Sequence, residues 1–330
     1  NRENDGDFKE KNNWKIMKAL FLIVLFMAFG NNSNAQVKTE KETEVEKTKL
    51  KELIQQELAM VTRYPHHPAY YVQVNKSGCR IVVKVDDIPL GYNFAEDEGQ
   101  SMLYPINDHL FGSGEHVLSV EVYPLTTRQT ISADTWVNLK VILFPEKHGN
   151  EREMIAELNV PRDIGGQKLP VYCDSINFKS TLPFNHKQVL NTAKDLRKVP
   201  DLEAKVLAHY NKVRDMMIAG KYYEYSKMRL RTWLRTDMNY LTEDDLEVAY
   251  LEPDELFRFD CQVTDWEAAP IENYEMVICG YGKLVYLRHI STMDEVLQTT
   301  YTEINGNEYI STKFIALYMP QGSGELLELY

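Results

Sequence analysis

The residue periodicity of this chain changes once, near Asn185, and that change limits the folds open to it. Upstream, Tyr70 to Asn75, Arg80 to Val85, His116 to Tyr123, Trp136 to Phe144 and Met154 to Val160 are β-branched or aromatic runs. Several alternate in period two, as in Val117, Ser119 and Glu121 against Leu118, Val120 and Val122. Such alternation turns one face of a strand to a core and the other to water. Lys76-Ser77-Gly78, Gly112-Ser113-Gly114 and His148-Gly149-Asn150 punctuate the runs as turns. Short strands with no helices between them predict an all-β antiparallel sandwich over residues 65–184.

Downstream, Val189, Leu190, Ala193 and Leu196, then Val206, Leu207, Tyr210, Val213 and Met217, recur at helical spacing, with Pro200 as the break. Gly220 suits a helix C-terminus because it tolerates the left-handed conformation. Tyr222 to Met238 reads as a further helix, and Thr242 opens another, with Asp245 three residues on as an approximate capping box. After Pro270 the text returns to strands: Tyr274 to Cys279, Leu284 to His289, Leu297 to Ile304 and Tyr309 to Tyr318. Asn305-Gly306 between the last two is a hairpin signal, since both central residues of that turn need positive φ. Residues 185–330 are therefore expected to form an α+β domain, helices first and then a curled antiparallel sheet.

Ahead of both lies a leader. Lys18, the apolar run Ala19 to Phe29, and Ser33-Asn34-Ala35 predict a signal peptide over residues 17–35, cut before Gln36. Residues 1–16 then read as upstream and not native, and residues 36–64 as a solvated linker running into a helix carried by Leu50, Leu53, Ile54, Leu58 and Val61. This places the mature chain in the periplasm or outside the cell, with no membrane insertion after cleavage. Net charge is −12, and −13 once residues 1–35, with five basic and four acidic residues, are removed. That balance argues against nucleic acid and anionic membrane partners. Export permits disulfides, Cys79 with Cys173 and Cys261 with Cys279; four free thiols are the alternative.

Two segments resemble known folds. Ile106 to Phe111 followed by Ser113 to Val120 resembles a stretch of jelly-roll sugar-binding domains, which implies a sandwich and not a sugar site. Gly220-Lys221-Tyr222-Tyr223 after a helix and before a strand meander resembles the cone-shaped nuclear-transport-factor-2-like superfamily. That superfamily holds enzymes and plain binding modules, so it implies a fold and no reaction.

Chemistry-bearing motifs are sparse. The sequence contains no GxSxG, HExxH, Walker or GxGxxG pattern, and Gly280-Tyr281-Gly282 precedes strand text where a phosphate loop requires a helix. No cofactor or metal site is expected. His109 and His116 straddle the glycine turn and are expected at the surface, with a metal pair across the turn as the alternative. His289, ending a strand, is a pocket candidate if the sheet is concave.

Charge is distributed in blocks. Asp237 to Glu275 holds thirteen acids against Arg258 alone, whereas Lys194 to Arg235 holds eleven bases against five acids. The blocks either neutralise each other or leave an acidic face. In the second case Asp244, Asp245, Tyr250, Glu252, Asp254, Phe257 and Trp266 form a partner-binding surface, rings as anchors and acids as steering charges. An exported, non-enzymatic binding protein with a basic protein partner is the leading expectation. In outline it resembles the immunity proteins of contact-dependent toxin systems, which implies an inhibitor. A cell-envelope module binding glycan or peptidoglycan is the alternative, and a hydrolase or isomerase in the α+β pocket the third.

Overall fold

The computed structural model describes residues 40–60, 62–90, 99–147, 149–219, 221, 223–230, 263–303 and 306–329, all within one compact unit, Val37–Tyr330. After helix α1 (Glu40–Leu58) come β1 (Ala69–Ser77), β2 (Arg80–Val85), β3 (Ile88–Pro89), β4 (Gln100–Pro105), β5 (Gly112–Tyr123), β6 (Trp136–Phe144), β7 (Glu153–Asn159) and β8 (Tyr172–Asn185). They form two antiparallel four-stranded sheets, ordered β4-β1-β6-β7 and β3-β2-β5-β8. The alternating residues of each, Val72 and Val74 of β1 with Leu139 and Val141 of β6, and Ile81 and Val83 of β2 with Leu118 and Val120 of β5, meet in one buried core. Each such side chain contributes on the order of 1.5–3 kcal/mol of hydrophobic stabilisation.

Beyond β8 come the short α2 (Gln188–Asn191), α3 (Leu202–Ile218) and a helical segment at 223–230. Next are β9 (Val263–Ala268), β10 (Tyr274–Cys279), β11 (Leu284–His289), β12 (Leu297–Glu303), β13 (Glu308–Lys313), β14 (Leu317–Tyr318) and β15 (Leu327–Glu328). These strands divide into two antiparallel sheets, β10-β11-β14-β15 and β13-β12-β9. Helix α3 lays Leu202, Val206, Tyr210 and Val213 on them, against Val285, Leu287 and Leu317. Tyr210 is fully enclosed, so its hydroxyl needs partners: it donates to the Ile315 carbonyl at 2.5 Å and accepts from the Leu287 amide at 3.0 Å. The described residues are thus β-rich, four antiparallel sheets and a few helices, with an α+β C-terminal half. Among the described residues no helix is long and apolar enough to cross a membrane.

The halves meet through a small cluster in which Ile88 and Phe111 pack on Cys279, Leu284, Tyr286 and Leu329. Beside it two tight turns dock. Asp86 and Asp87, at φ 50° and 64°, turn β2 into β3. The Gly280 and Tyr281 amides donate to the carbonyl (3.0 Å) and side chain (2.9 Å) of Asp87. Arg80 adds a bond from Nη1 to the Ser291 carbonyl at 3.2 Å.

Candidate functional site

Most of the predicted acidic face, including Asp244, Asp245, Tyr250, Glu252, Asp254 and Phe257, lies outside the described residues. Trp266 falls in β9, where its backbone alone is described. At the near end of the stretch, Glu267 and Glu272 are exposed, and Glu275 on β10 takes Arg288 Nε at 2.7 Å from β11.

The basic block clarifies the charge pattern. Lys194 donates to the Ser323 carbonyl (2.6 Å) and Lys205 to the Pro200 carbonyl (3.0 Å). Arg197 and Lys198 share Asp195. Arg214 donates from Nε to the Ala269 carbonyl (2.7 Å) and from Nη2 to the Ala268 carbonyl (2.9 Å), and its remaining charge meets Asp215 at 3.7 Å. These five bases hold backbone and near neighbours in place.

The C-terminal half also buries a polar cluster that the sequence reading did not identify. Glu328 on β15, its side chain 3% exposed, accepts His209 Nε2 at 2.9 Å and meets Arg229 Nε at 2.6 Å. The Tyr225 hydroxyl is 3.4 Å from the same carboxylate. Lys313 Nζ sits 4.5 Å from the centre of the Tyr225 ring, and the Arg229 guanidinium lies 5.5 Å from it. Burial first, and then the Arg229 charge, lower the Lys313 amine to about 7, against the opposing pull of Glu328. No motif in the sequence joins these residues, and Glu328 is 119 residues from His209.

The expectation of surface histidines at the glycine turn is corrected. His109 and His116 are 2% and 3% exposed, because each ring is drawn inward by a carboxylate and by main-chain or hydroxyl groups. His109 Nδ1 meets Asp108 at 2.7 Å and Nε2 the Pro89 carbonyl at 3.1 Å. His116 Nδ1 meets Asp86 at 2.7 Å, while Nε2 faces Ser180 Oγ at 2.9 Å and the Gly112 carbonyl at 3.1 Å. Ser180, His116 and Asp86 have the connectivity of an acyl-transfer relay. Ser180 is only 5% exposed, however, and points into the core beside Phe178 and Leu182, where no acyl group reaches it. The arrangement pins β5 to β8 and to the Asp86 turn. Among the described residues, no three His, Cys, Asp or Glu side chains are grouped to hold a metal ion.

A small cleft lies between the halves, walled by Val83 and Leu90 on one side and Leu287 and Phe314 on the other. Arg288 and Glu295 supply its polar rim. Burial, aided by Asp294, raises the Glu295 carboxyl. His289 follows these residues on β11 but does not line the cleft. Cys79, Cys173 and Cys279 are free thiols, so neither anticipated disulfide forms: Cys79 points into the core and Cys173 to solvent, and Cys279 is enclosed at the junction. No family model, curated protein or solved structure matches this chain.

Proposed function

We propose that the chain is an exported binding protein that engages a basic protein partner through its acidic segment. The observation that carries this reading is the acidic excess of 237–275, thirteen acids against Arg258 alone, following a basic block in which Lys194, Arg197, Lys198, Lys205 and Arg214 already bond to carbonyls, Asp195 or Asp215. An uncompensated single-sign field speeds encounter with an oppositely charged partner. The reading includes the leader at 17–35, a periplasmic or secreted location, a sandwich for the first half and a nuclear-transport-factor-2-like second half. Its outline is that of an immunity-type inhibitor.

The test is binding to an immobilised basic protein such as lysozyme, and to partners captured from cell envelope, across a salt series. Affinity should fall as salt rises, because exposed charges are screened beyond about 10 Å at 0.1 M. Reversing Asp244, Asp245, Glu252 and Asp254 to Lys should slow association without loss of fold. Affinity indifferent to both changes would sink the proposal.

An enzymatic second reading draws on Lys313, an amine beside Arg229 and Tyr225 whose lowered pKa suits proton transfer or nucleophilic attack.

A further inference from the structure

The two sheets of the N-terminal half differ in what their outer faces carry. On the β4-β1-β6-β7 sheet, four residues in register make one unbroken row: Ser101 opposite Asn75, Asn75 opposite Asn138, Asn138 opposite Asn159. Ser101 Oγ donates to Asn75 Oδ1 at 2.7 Å, and Asn75 Nδ2 donates to Asn138 Oδ1 at 3.3 Å. Asn138 Nδ2 donates to Asn159 Oδ1 at 2.7 Å and to Glu157 Oε1 at 2.8 Å. The hydrogens all run one way, so each bond polarises the next. The row ends in the Asn159 amide on the β7 edge and the Ser101 oxygen on the β4 edge, and both residues are exposed.

A second row lies beside it. Gln73 stands between Leu103 and Lys140, and Lys140 Nζ is 3.6 Å from Glu157 Oε1. Hydrogen bonds from Asn138 first, with the Lys140 charge and Asn159 adding to them, keep the Glu157 carboxyl below its ordinary range. Trp136, two residues from Asn138 and therefore on the same face, flanks the rows at one end. Tyr71, edge-on to Phe144 at 5.3 Å, flanks them at the other. Adjacent strands are about 4.8 Å apart, so four strands give a strip roughly 14 Å long, room for a short chain of sugar rings.

We propose that this face binds a neutral glycan chain. Its one ion pair, Lys140 with Glu157, is internally balanced, so the surface favours no charged ligand. Amide and carboxylate groups with spare donors and acceptors match the paired hydroxyls of a pyranose, each of which donates and accepts. The Trp136 and Tyr71 rings offer apolar surface to the C–H faces of the same rings. Cross-strand pairing alone stabilises a sheet with β-branched or aromatic residues; it does not require four amide or hydroxyl side chains linked edge to edge. The site is separate from the acidic segment, and its ligand is of a different class.

The experiment is native affinity electrophoresis of the full chain through gels containing laminarin, hydroxyethyl cellulose or xylan. Retardation is expected in at least one gel, unchanged at about 0.5 M salt, where charge-steered docking is screened away. Trp136→Ala is expected to weaken that retention at least tenfold. Because Trp136 is half-buried, Gln73→Ala and Ser101→Ala, milder changes on the same face, serve as second variants and should weaken it several-fold with an unchanged melting temperature. No retardation in any gel, or retention that survives these substitutions, overturns the proposal.

Discussion

His109 Nδ1 lies 2.7 Å from Asp108 Oδ1, and the opposite ring nitrogen faces the Pro89 carbonyl at 3.1 Å. A carboxylate and a carbonyl both accept, so only the doubly protonated ring satisfies the two contacts. Burial alone lowers the His109 pKa, but the Asp108 charge and hydrogen bond, the Pro89 carbonyl and the more distant Asp86 together hold it above 6.5. A pKa raised in the native state contributes stability that is complete below the unfolded value and lost as pH climbs through the native one. Denaturant unfolding of the parent chain should therefore weaken above about pH 6.5, and His109→Gln should flatten that dependence. His109→Ala also leaves the Pro89 carbonyl unpaired, at a cost of about 1–3 kcal/mol.

Lys313 behaves in the opposite sense. Its amine, lowered to about 7 from 10.5, takes up a proton on unfolding, so its burial penalty disappears between those pH values and stability rises across them. Replacing it by Met should stabilise the chain most below pH 7 and very little near pH 10.5. Carbon-13 NMR of the reductively methylated protein should show one dimethyl-lysine signal titrating far below the rest. A full set of ordinary lysine titrations would dismiss the neutral amine, and the enzymatic reading with it.

Glu328 holds His209 and Arg229 with a side chain only 3% exposed. Removing one member of a buried ion pair leaves the other charge uncompensated, so Glu328→Gln should cost about 3–5 kcal/mol. In a double-mutant cycle, adding Arg229→Met should return a large part of that loss. Additive effects would show that the two side chains are energetically independent.

Tyr281 and Gly282 both sit at positive φ and should respond to mutation in opposite directions. Tyr281 is 62% exposed at φ 56°, where a Cβ-bearing residue is disfavoured by about 1–2 kcal/mol. Tyr281→Gly should leave stability unchanged or raise it by up to about 1 kcal/mol, once the extra chain entropy of glycine is subtracted. Gly282 has φ 88°, and a Cβ there would stand 2.8 Å from the Arg197 guanidinium. Gly282→Ala should thus destabilise by at least about 1 kcal/mol. Thermal melts of the two variants decide it.

Where a strand has one face in the core, its text is readable. The runs Arg80 to Val85, Trp136 to Phe144, Tyr274 to Cys279 and Leu284 to His289 are strands with those same ends. β12 and β13 pair as an antiparallel hairpin with Gly306 at φ 83° in the connection, while Asn305 lies outside the described residues. β8 was illegible because its first half buries little and Pro183 sits within it. The strand pairs only with β5, at a sheet edge where a proline removes no ladder bond. The candidate site is legible as composition only: the acidic excess is visible in sequence, but the carbonyl and Asp195 partners of the neighbouring bases are visible only in the structure.

By itself, the sequence determined the periodicity: which residues turn inward, where strands give way to helices, and where charge accumulates. These are local properties, set by side-chain spacing against repeats of 2.0 and 3.6 residues. Tertiary structure alone decided the register that lines up Ser101, Asn75, Asn138 and Asn159, the division of the C-terminal strands into two sheets, and the meeting of Glu328 with His209. Each depends on residues tens of positions apart being brought within hydrogen-bonding reach. The free energy that aligns them comes from cores shared by whole sheets and helices, and no single stretch of chain contains it.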